Sequence, residues 1–372
     1  MKQVRCPNCG FFCQKYGKTR YDSQRWHCKQ CKFTFTNSYD KTVQSFKSFL
    51  KWLFSKGTQR GMVGQGRSFR RHTAMFWEYW ALPPKVEMPS KVIYVDGIYL
   101  ARKACILIAC NDTYVLGWYL CRYENARAWE ALLNRIAAPI VVVTDGGTGF
   151  YKAVKKAWPK TKLQRCMFHA FQQVRRYTTT RPKTIAGVEL YGIAKELFHI
   201  KTQEDARLWV QSISAWKIKH RKFLAETTTD DNGTIRPKHE RLLKAENSLN
   251  ILVRNGNLFT YLNDAFDFKC PSTNNRIEGG INAQLRAVLR NHRGMTIEKR
   301  IKAVFWWCYM HSPNPLSLKE ILEVMPTNKS ISTIYNTMNE RSKLEASIST
   351  WGDAIVWSDL HFYDKSFNSS WD

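Results

Sequence analysis

The order of apolar segments between residues 91 and 165 is the feature that most restricts how this chain can fold. Three apolar runs joined by short polar turns come first, and helical and extended segments then alternate. In chain order the predicted segments are strands Lys91–Leu100, Lys103–Cys110 and Thr113–Cys121, helix Ala126–Ile136, strand Ile140–Asp145, helix Gly149–Ala157 and strand Lys162–Arg165. A meander of three strands followed by alternating helices and strands predicts a mixed α/β domain.

Two of these strands carry an aspartate in apolar surroundings. Asp96 lies inside the first strand and Asp145 ends the fourth, and each is followed by glycine. An unpaired carboxylate in a protein core costs several kcal/mol, so two of them predict a shared cation site. The order of elements is that of the ribonuclease-H-like fold, in which the first and fourth strands bear metal-binding carboxylates, and Asp96 and Asp145 occupy these two positions.

A third carboxylate is expected from a later helix, and Glu278 is the candidate. Apolar residues recur at every fourth position around it: Ile277, Ile281, Leu285 and Leu289. This period predicts an amphipathic helix whose apolar stripe lies beside Glu278. Gly279 and Gly280 weaken a helix by about 1 kcal/mol each, which suits a place where a backbone, a metal or DNA approaches closely. The alternative is an ordinary solvated glutamate.

Two Cys-x-x-Cys pairs near the N-terminus predict a zinc ribbon. The pairs are Cys6 with Cys9 and Cys28 with Cys31. Each pair presents two thiolates, and two pairs complete a tetrahedral Zn2+ site. Because a closed four-thiolate site leaves no position for a substrate, this Zn2+ is expected to be structural. The alternative, four buried free cysteines, does not explain the paired spacing.

The formal charge of +28 favours a polyanionic partner, and nucleic acid is the commonest one. An anionic membrane surface is the alternative. The sequence has no apolar window of about eighteen residues and no signal peptide, so we expect a soluble protein of the cytoplasm that does not enter a membrane.

Helical periodicity between Val43 and Trp80 is interrupted at Gly64–Gly66. This order resembles a helix-turn-helix, with Arg70 and Arg71 on the candidate recognition helix. A plain helical hairpin that packs on the following domain is the alternative.

Four blocks of sequence resemble bacterial insertion-sequence transposases of the Mutator-like superfamily, in a branch with an N-terminal zinc ribbon. The blocks are VDGIYL at 95–100, TDGGTGF at 144–150, QRCMFHAFQQV at 164–174 and TNNRIEGGINAQLRAVLRNHRGM at 273–295. The resemblance implies that Asp96, Asp145 and Glu278 are the catalytic DDE residues. They would hold two Mg2+ ions, for which Mn2+ could substitute. It also implies an all-helical insertion between Asp145 and Glu278, and a family pair, Cys166 and His169, whose role stays open.

The function that the resemblance implies is that of a DDE transposase. Such an enzyme binds the terminal inverted repeats of an insertion sequence and catalyses metal-dependent strand cleavage and strand transfer. The implied partner is double-stranded DNA, both transposon ends and target, with the protein assembled on it as a homodimer or larger in the bacterial cytoplasm. Two alternatives are a non-catalytic zinc-ribbon DNA-binding protein derived from a transposase and a ribonuclease-H-like nuclease without strand transfer.

The expected domain organisation follows from these assignments. The ranges are a zinc ribbon at 1–38, a helical DNA-binding region at 39–84, the ribonuclease-H-like core at 88–174 and 271–312, the helical insertion at 175–270 and a C-terminal tail at 313–372. The arginines expected to contact DNA are Arg70, Arg71, Arg175, Arg176, Arg286, Arg290 and Arg293. The tail, with Trp351, Trp357 and Trp371, is expected to dock on the protein itself or on a second protomer.

Overall fold

The computed structural model describes residues 4–36, 41–62, 64–229 and 231–344, which form two compact units. Of the described residues, the first unit holds those up to Trp77 together with Leu316–Val324, and the second holds those of Glu78–Pro315 and those from Met325 to Leu344. The three tryptophans predicted to dock the tail lie outside the described residues. Within the described ranges, no helix has both the length and the apolar character needed to cross a bilayer.

The first unit contains a small antiparallel sheet and short helices. Its elements are strands β1 (Gln14–Lys18), β2 (Gln24–His27) and β3 (Thr34–Thr36), helix α1 (Thr42–Leu53), the 3-10 helix Gln59–Gly61 and helix α2 (Arg67–Thr73). The predicted second helix over Ser68–Trp80 is shorter than expected, because it ends at Thr73 and continues as the 3-10 helix Ala74–Glu78. The helix-turn-helix interpretation stays a prediction.

Gly66 fixes the junction that precedes α2. Its φ is +80°, and a Cβ at this position would lie 2.3 Å from the backbone oxygen of Gln59. Only glycine has both the left-handed freedom and the absence of a side chain that this close approach requires. The break predicted at Gly64–Gly66 is therefore a tight turn that brings the start of α2 against the preceding 3-10 helix.

A five-stranded mixed sheet forms the centre of the second unit. Its strands are β4 (Val92–Leu100), β5 (Ala104–Cys110), β6 (Val115–Cys121), β7 (Val141–Thr144) and β8 (Lys162–Arg165). Their spatial order is β6-β5-β4-β7-β8, with antiparallel pairs from β6 to β4 and parallel pairs from β4 to β8. The predicted meander followed by alternating helices and strands is therefore present.

Side chains alternate between the two faces of this sheet, and helices pack against both faces. Helices α3 (Ala126–Leu133) and α4 (Thr148–Ala157) cover one face, where they share a core with Ile93 and Val95 of β4. On β6, the buried Trp118 packs against Phe305 from the later helix Ile297–Met310. Covered on both sides, the sheet is buried throughout β5.

The segment after β8 forms a helical body with its own apolar core. Its helices are α5 (Met167–Thr178), α6 (Ile185–Glu196), α7 (Gln203–Lys219), α8 (Arg221–Leu224) and α9 (Glu240–Arg254). The expectation of an all-helical insertion is wrong in one place. Strands β9 (Thr227–Thr229) and β10 (Ile235–Pro237) form an exposed antiparallel hairpin. Threonine favours strands, and Gly233, at φ +75°, supplies a left-handed turn residue.

The helix predicted around Glu278 begins in an unusual way. Residues Arg276–Asn282 form a π-helical turn that continues into α10 (Ala283–Asn291), and Ile297–Met310 follows as α11. The wide turn contains Gly279, where a Cβ would lie 2.5 Å from the side-chain oxygen of Asn275. Wide turns of this kind occur frequently at functional sites. The prediction of a regular helix is therefore wrong for the first turn and correct for α10.

Candidate metal centre and nucleic-acid surface

Asp96 lies in β4, and Asp145 directly follows the adjacent parallel strand β7. In the β4–β7 pairing, Tyr94 is the partner of Val143. Asp96 comes two residues after Tyr94, and Asp145 comes two residues after Val143, just beyond the end of β7. The charge of Asp145 is one of the causes that raise the pKa of Asp96, after burial, so the two carboxylates lie within electrostatic range of each other.

Two hydrogen bonds hold the Asp96 carboxylate. The backbone N–H of Gly97 donates to Oδ1 at 2.9 Å, and Nδ2 of Asn282, at the end of the π-helical turn, donates to Oδ2 at 2.7 Å. The pKa of Asp96 is raised to about 6, mainly by burial. The charge of Asp145 also raises it, whereas these two hydrogen bonds and the charge of Arg286 lower it. The carboxylate is thus held in a fixed orientation, but the groups that lower its pKa do not offset the effect of burial.

Glu278 lies within electrostatic reach of both aspartates. The pKa of Glu278 is raised to about 7, mainly by burial and then by the charges of Asp96 and Asp145, whereas the charge of Arg286 lowers it. The chain just before it is fixed to β4, because Nδ2 of Asn274 donates to the carbonyl oxygen of Val95 at 2.9 Å. The three carboxylates singled out from the sequence therefore form one electrostatic cluster of like charge. Among the described residues, however, the group of possible metal ligands within 4.8 Å of one another that contains Glu278 comprises Cys166 and His169, not the aspartates.

A fourth carboxylate, Glu124, belongs to the same cluster and was not predicted. A Cβ on Gly97 would lie 2.3 Å from Oε1 of Glu124, so this carboxylate occupies the space that the glycine leaves open. The pKa of Glu124 is raised to about 7, mainly by burial and to a smaller extent by the charges of Asp145 and Asp96. The only sequence signal was a glutamate placed directly before Asn125, the N-cap of the helix that follows the meander.

Cys166 and His169 lie beside Glu278. Cys166 caps α5, and its backbone N–H donates to the carbonyl oxygen of Thr144 at 2.8 Å, next to Asp145. Nδ1 of His169 lies 3.3 Å from Oε1 of Glu278. Burial raises the pKa of Cys166 and lowers that of His169. The pair therefore lies next to Glu278, although the sequence alone gave it no partner.

Arginines line a cavity of about 550 Å³ next to these carboxylates. Its walls include Gly97, Tyr99, Arg286, Arg290, Arg293 and Arg300. Three of the four arginines were expected to contact DNA, whereas Arg300 was not singled out. Because Arg286 lowers the pKa values of both Asp96 and Glu278, its positive charge reaches the carboxylate cluster.

The remaining predicted arginines are distributed over both units. Arg70 and Arg71 lie on α2 in the first unit. In the second unit, Arg175 and Arg176 lie in the last turn of α5, and the charge of Arg176 contributes to the lowered pKa of His169. Arg165, which was not predicted, packs its buried guanidinium against Gly146, directly after Asp145.

The four predicted cysteines of the first unit converge. Sγ of Cys6 lies 3.5 Å from Sγ of Cys31, and Sγ of Cys9 lies 3.4 Å from that of Cys28. All four sulfur atoms lie within 4.8 Å of one another. The pKa of Cys28 is lowered to about 6, mainly because its sulfur accepts a hydrogen bond from the backbone N–H of Cys31. This four-cysteine cluster is compatible with a zinc ribbon.

Comparison with known proteins identifies relatives of this chain. The family model described as "Transposase, Mutator family" matches residues 100–235. The transposase for insertion sequence element IS905 of Lactococcus lactis subsp. lactis (strain IL1403) is 29% identical over 164 residues, covering 40% of this chain and 41% of the relative. The transposase for insertion sequence element IS6120 of Mycolicibacterium smegmatis is 30% identical over 162 residues, covering 37% and 46%.

This chain is related to the Mutator-family transposases of bacterial insertion sequences. The resemblance to the Mutator family is confirmed, whereas the branch with an N-terminal zinc ribbon stays a prediction. The chain matches less than half the length of these curated relatives. The stretch that matches the family model contains Glu124, Asp145, Cys166 and His169, whereas Asp96 and Glu278 lie outside it.

Proposed function

We propose that this chain is a DDE transposase that cleaves and joins DNA strands at the ends of an insertion sequence. The observation that supports the proposal is that Asp96 lies in β4, that Asp145 directly follows the adjacent parallel strand β7, and that the charges of both aspartates act on Glu278. Three carboxylates at one edge of a ribonuclease-H-like sheet are the ligand set that divalent-cation phosphodiester chemistry requires.

The residues present fit a divalent cation. Carboxylate oxygens are the donors that Mg2+ prefers, and Mn2+ accepts the same set. Within the described chain, the buried Oε1 of Glu278 accepts no hydrogen bond, and burial, together with the neighbouring carboxylates, raises the pKa values of Asp96, Glu124 and Glu278. Asp96, Asp145 and Glu278 would hold two Mg2+ ions, which when bound activate the attacking hydroxyl and stabilise the leaving oxygen of the phosphodiester.

The protein's own groups prepare this site. Asn282 and the N–H of Gly97 fix the two oxygens of Asp96, so that its orientation is set before a cation binds. Glu124 adds a fourth negative charge from the other side of Gly97. Along the neighbouring cavity, Arg286 and Arg290 would hold DNA phosphates close to the carboxylates.

The first unit would recognise the terminal inverted repeats. Its four-cysteine cluster would hold a structural Zn2+, and Arg70 and Arg71 would face DNA from α2. Transposition joins two DNA ends, so assembly on DNA as a homodimer or larger is part of the proposal. Its place of action is with the DNA of a bacterial cytoplasm.

The test is a strand-cleavage assay with the full chain, Mg2+ and labelled DNA that carries the inverted repeats flanking the gene. We expect nicking at the repeat ends and joining of the released 3′ ends to target DNA. Asp96→Asn should abolish both activities and leave DNA binding intact. Asp267→Asn, which removes an exposed carboxylate paired with Lys91, is the matched control and should remain active.

Each other outcome contradicts a defined part of the proposal. Nicking without joining would indicate a nuclease. Binding without cleavage, unchanged by Asp96→Asn, would indicate a DNA-binding protein that has lost catalysis. Cleavage by the Asp96→Asn variant would remove Asp96 from the catalytic set.

A further inference from the structure

We propose that Cys166, His169 and Glu278 form a separate binding site for a thiophilic divalent cation such as Zn2+. The sequence offered only the Cys166 and His169 pair, and two ligands do not complete a zinc site. The fold brings Glu278 to them as a third ligand. The site would therefore share one carboxylate with the proposed Mg2+ site while differing from it in chemistry.

The ligand atoms are spaced for a single ion. Sγ of Cys166, a ring nitrogen of His169 and a carboxylate oxygen of Glu278 all lie within 4.8 Å of one another. Nδ1 of His169 and Oε1 of Glu278 are 3.3 Å apart. In a tetrahedral Zn2+ site with nitrogen and oxygen ligands at about 2.1 Å, the edge between two ligand atoms is about 3.4 Å. The His169–Glu278 pair already has this separation.

The two close atoms do not satisfy each other. Both Nδ1 of His169 and Oε1 of Glu278 are buried, and neither has a hydrogen-bond partner among the residues that the structure describes. Leaving two buried polar atoms unpaired costs about 1–3 kcal/mol each. A cation between them would be coordinated by both atoms, which is a physical reason for their arrangement.

Backbone N–H groups lie close to the sulfur atom of Cys166. The backbone N–H of Asn274 donates to Sγ of Cys166 at 3.2 Å. Cys166 also caps α5, where the backbone N–H groups of the first helical turn stabilise negative charge. These donors partly offset burial, which raises the pKa of Cys166, and a bound ion would displace the thiol proton.

Ligand chemistry separates this site from the carboxylate cluster. One sulfur, one imidazole nitrogen and one carboxylate oxygen suit Zn2+, whereas Mg2+ prefers oxygen ligands alone. The side chains of His169 and Glu278 are 27% and 26% exposed. A fourth ligand from solvent can therefore reach the ion, as in zinc sites with three protein ligands.

Sharing Glu278 has a functional consequence that rests on the proposed transposase activity. An ion held by Cys166 and His169 would withdraw Glu278 from Asp96 and Asp145. Zn2+ beyond the amount that the four-cysteine cluster takes up would then inhibit strand cleavage. Metal binding itself does not depend on that activity and can be measured without DNA.

The test is a titration of the full-length, metal-free protein with Co2+, which reports thiolate ligation by its near-ultraviolet charge-transfer absorption. We expect the wild-type chain to bind one more equivalent with thiolate ligation than Cys166→Ser, and His169→Ala to lose the same equivalent. Cys270→Ser removes a buried cysteine outside the site and should behave as wild type. Circular dichroism of each variant verifies that it is folded.

The proposal is overturned if folded Cys166→Ser and His169→Ala both bind as many equivalents as the wild type. It is also overturned if the wild-type chain binds no thiolate-ligated Co2+ beyond the four-cysteine cluster. In an active preparation, loss of either ligand should weaken inhibition of cleavage by Zn2+ more than about tenfold. If cleavage is absent but the extra equivalent is present, the metal site stands and the proposed function fails.

Discussion

Replacing Asp96 by asparagine should stabilise the cation-free protein at pH 8. The folded protein raises the pKa of Asp96 from 3.8 to about 6, mainly through burial. The pKa of Asp96 is higher in the folded than in the unfolded protein, so protonation of this carboxyl adds to the free energy of unfolding. This stabilisation is complete below about pH 4 and is lost as the pH rises through about 6. At pH 8 the ionised side chain therefore destabilises the fold, and asparagine removes that charge.

The size of the effect follows from the pKa and from the hydrogen bonds of Asp96. A pKa raised from 3.8 to about 6 corresponds to about 3 kcal/mol. Asparagine loses one of the two acceptors that Asp96 offers to Gly97 and Asn282. Oδ1 of Asn282 has no hydrogen-bond partner in the described structure, so its amide can turn over and accept from the new Nδ2. We therefore expect a net gain of about 1–3 kcal/mol.

The measurement is thermal unfolding between pH 5 and pH 8, with protein that carries one equivalent of Zn2+ for the four-cysteine cluster, in buffer without free Zn2+ or Mg2+. At about 2 °C per kcal/mol for a unit of this size, the variant should unfold about 2–6 °C above the wild type at pH 8. This difference should shrink as the pH falls towards 5. Mg2+ should raise the unfolding temperature of the wild type and not that of the variant.

Asp267→Asn is the control for this measurement. Hydrogen bonding to Lys91 lowers the pKa of the exposed Asp267, so its removal should not stabilise the protein at pH 8. An Asp96→Asn variant that is less stable than the wild type, by an amount independent of pH, would refute the electrostatic reasoning. Equal stabilisation of both variants by Mg2+ would refute the assignment of Asp96 as a cation ligand.

Two further predictions concern the walls of the site. Arg286→Ala should weaken DNA binding to all sequences alike and reduce the slope of log affinity against log salt concentration by about one, because one phosphate contact is lost. Arg127→Ala, on α3, should leave that slope unchanged, and an equal change in both variants would contradict the prediction. Gly97→Ala should displace Glu124, whose Oε1 would lie 2.3 Å from the new Cβ, and reduce Mg2+-dependent cleavage. Gly192→Ala, where a Cβ meets open space, should remain active, and full activity of Gly97→Ala would argue against a role for Glu124.

The aspartates could be predicted because their positions depend on local sequence and on one register. Each lies in an apolar run, and parallel pairing of β4 with β7 brings the two runs together. Glu124 could not be found in this way. Its place depends on how the loop after β6 folds against Gly97, and neither the loop geometry nor the missing Cβ leaves a periodic signal. The hairpin in the insertion was missed for a similar reason, since its short strands are exposed and carry no apolar pattern.

Glu278 shows why spacing alone could not define the role of Cys166 and His169. The pair directly follows β8 in the chain, whereas Glu278 comes after the whole helical insertion. Glu278 lies in the π-helical turn, which places its side chain beside the pair. Once there, one carboxylate faces two kinds of ligand, the oxygens of the aspartates and the sulfur and nitrogen of the pair. A hard cation favours the first set and a soft cation the second. The proportion of Mg2+ to Zn2+ should therefore decide which set Glu278 joins, and through that choice whether the proposed catalytic site is complete.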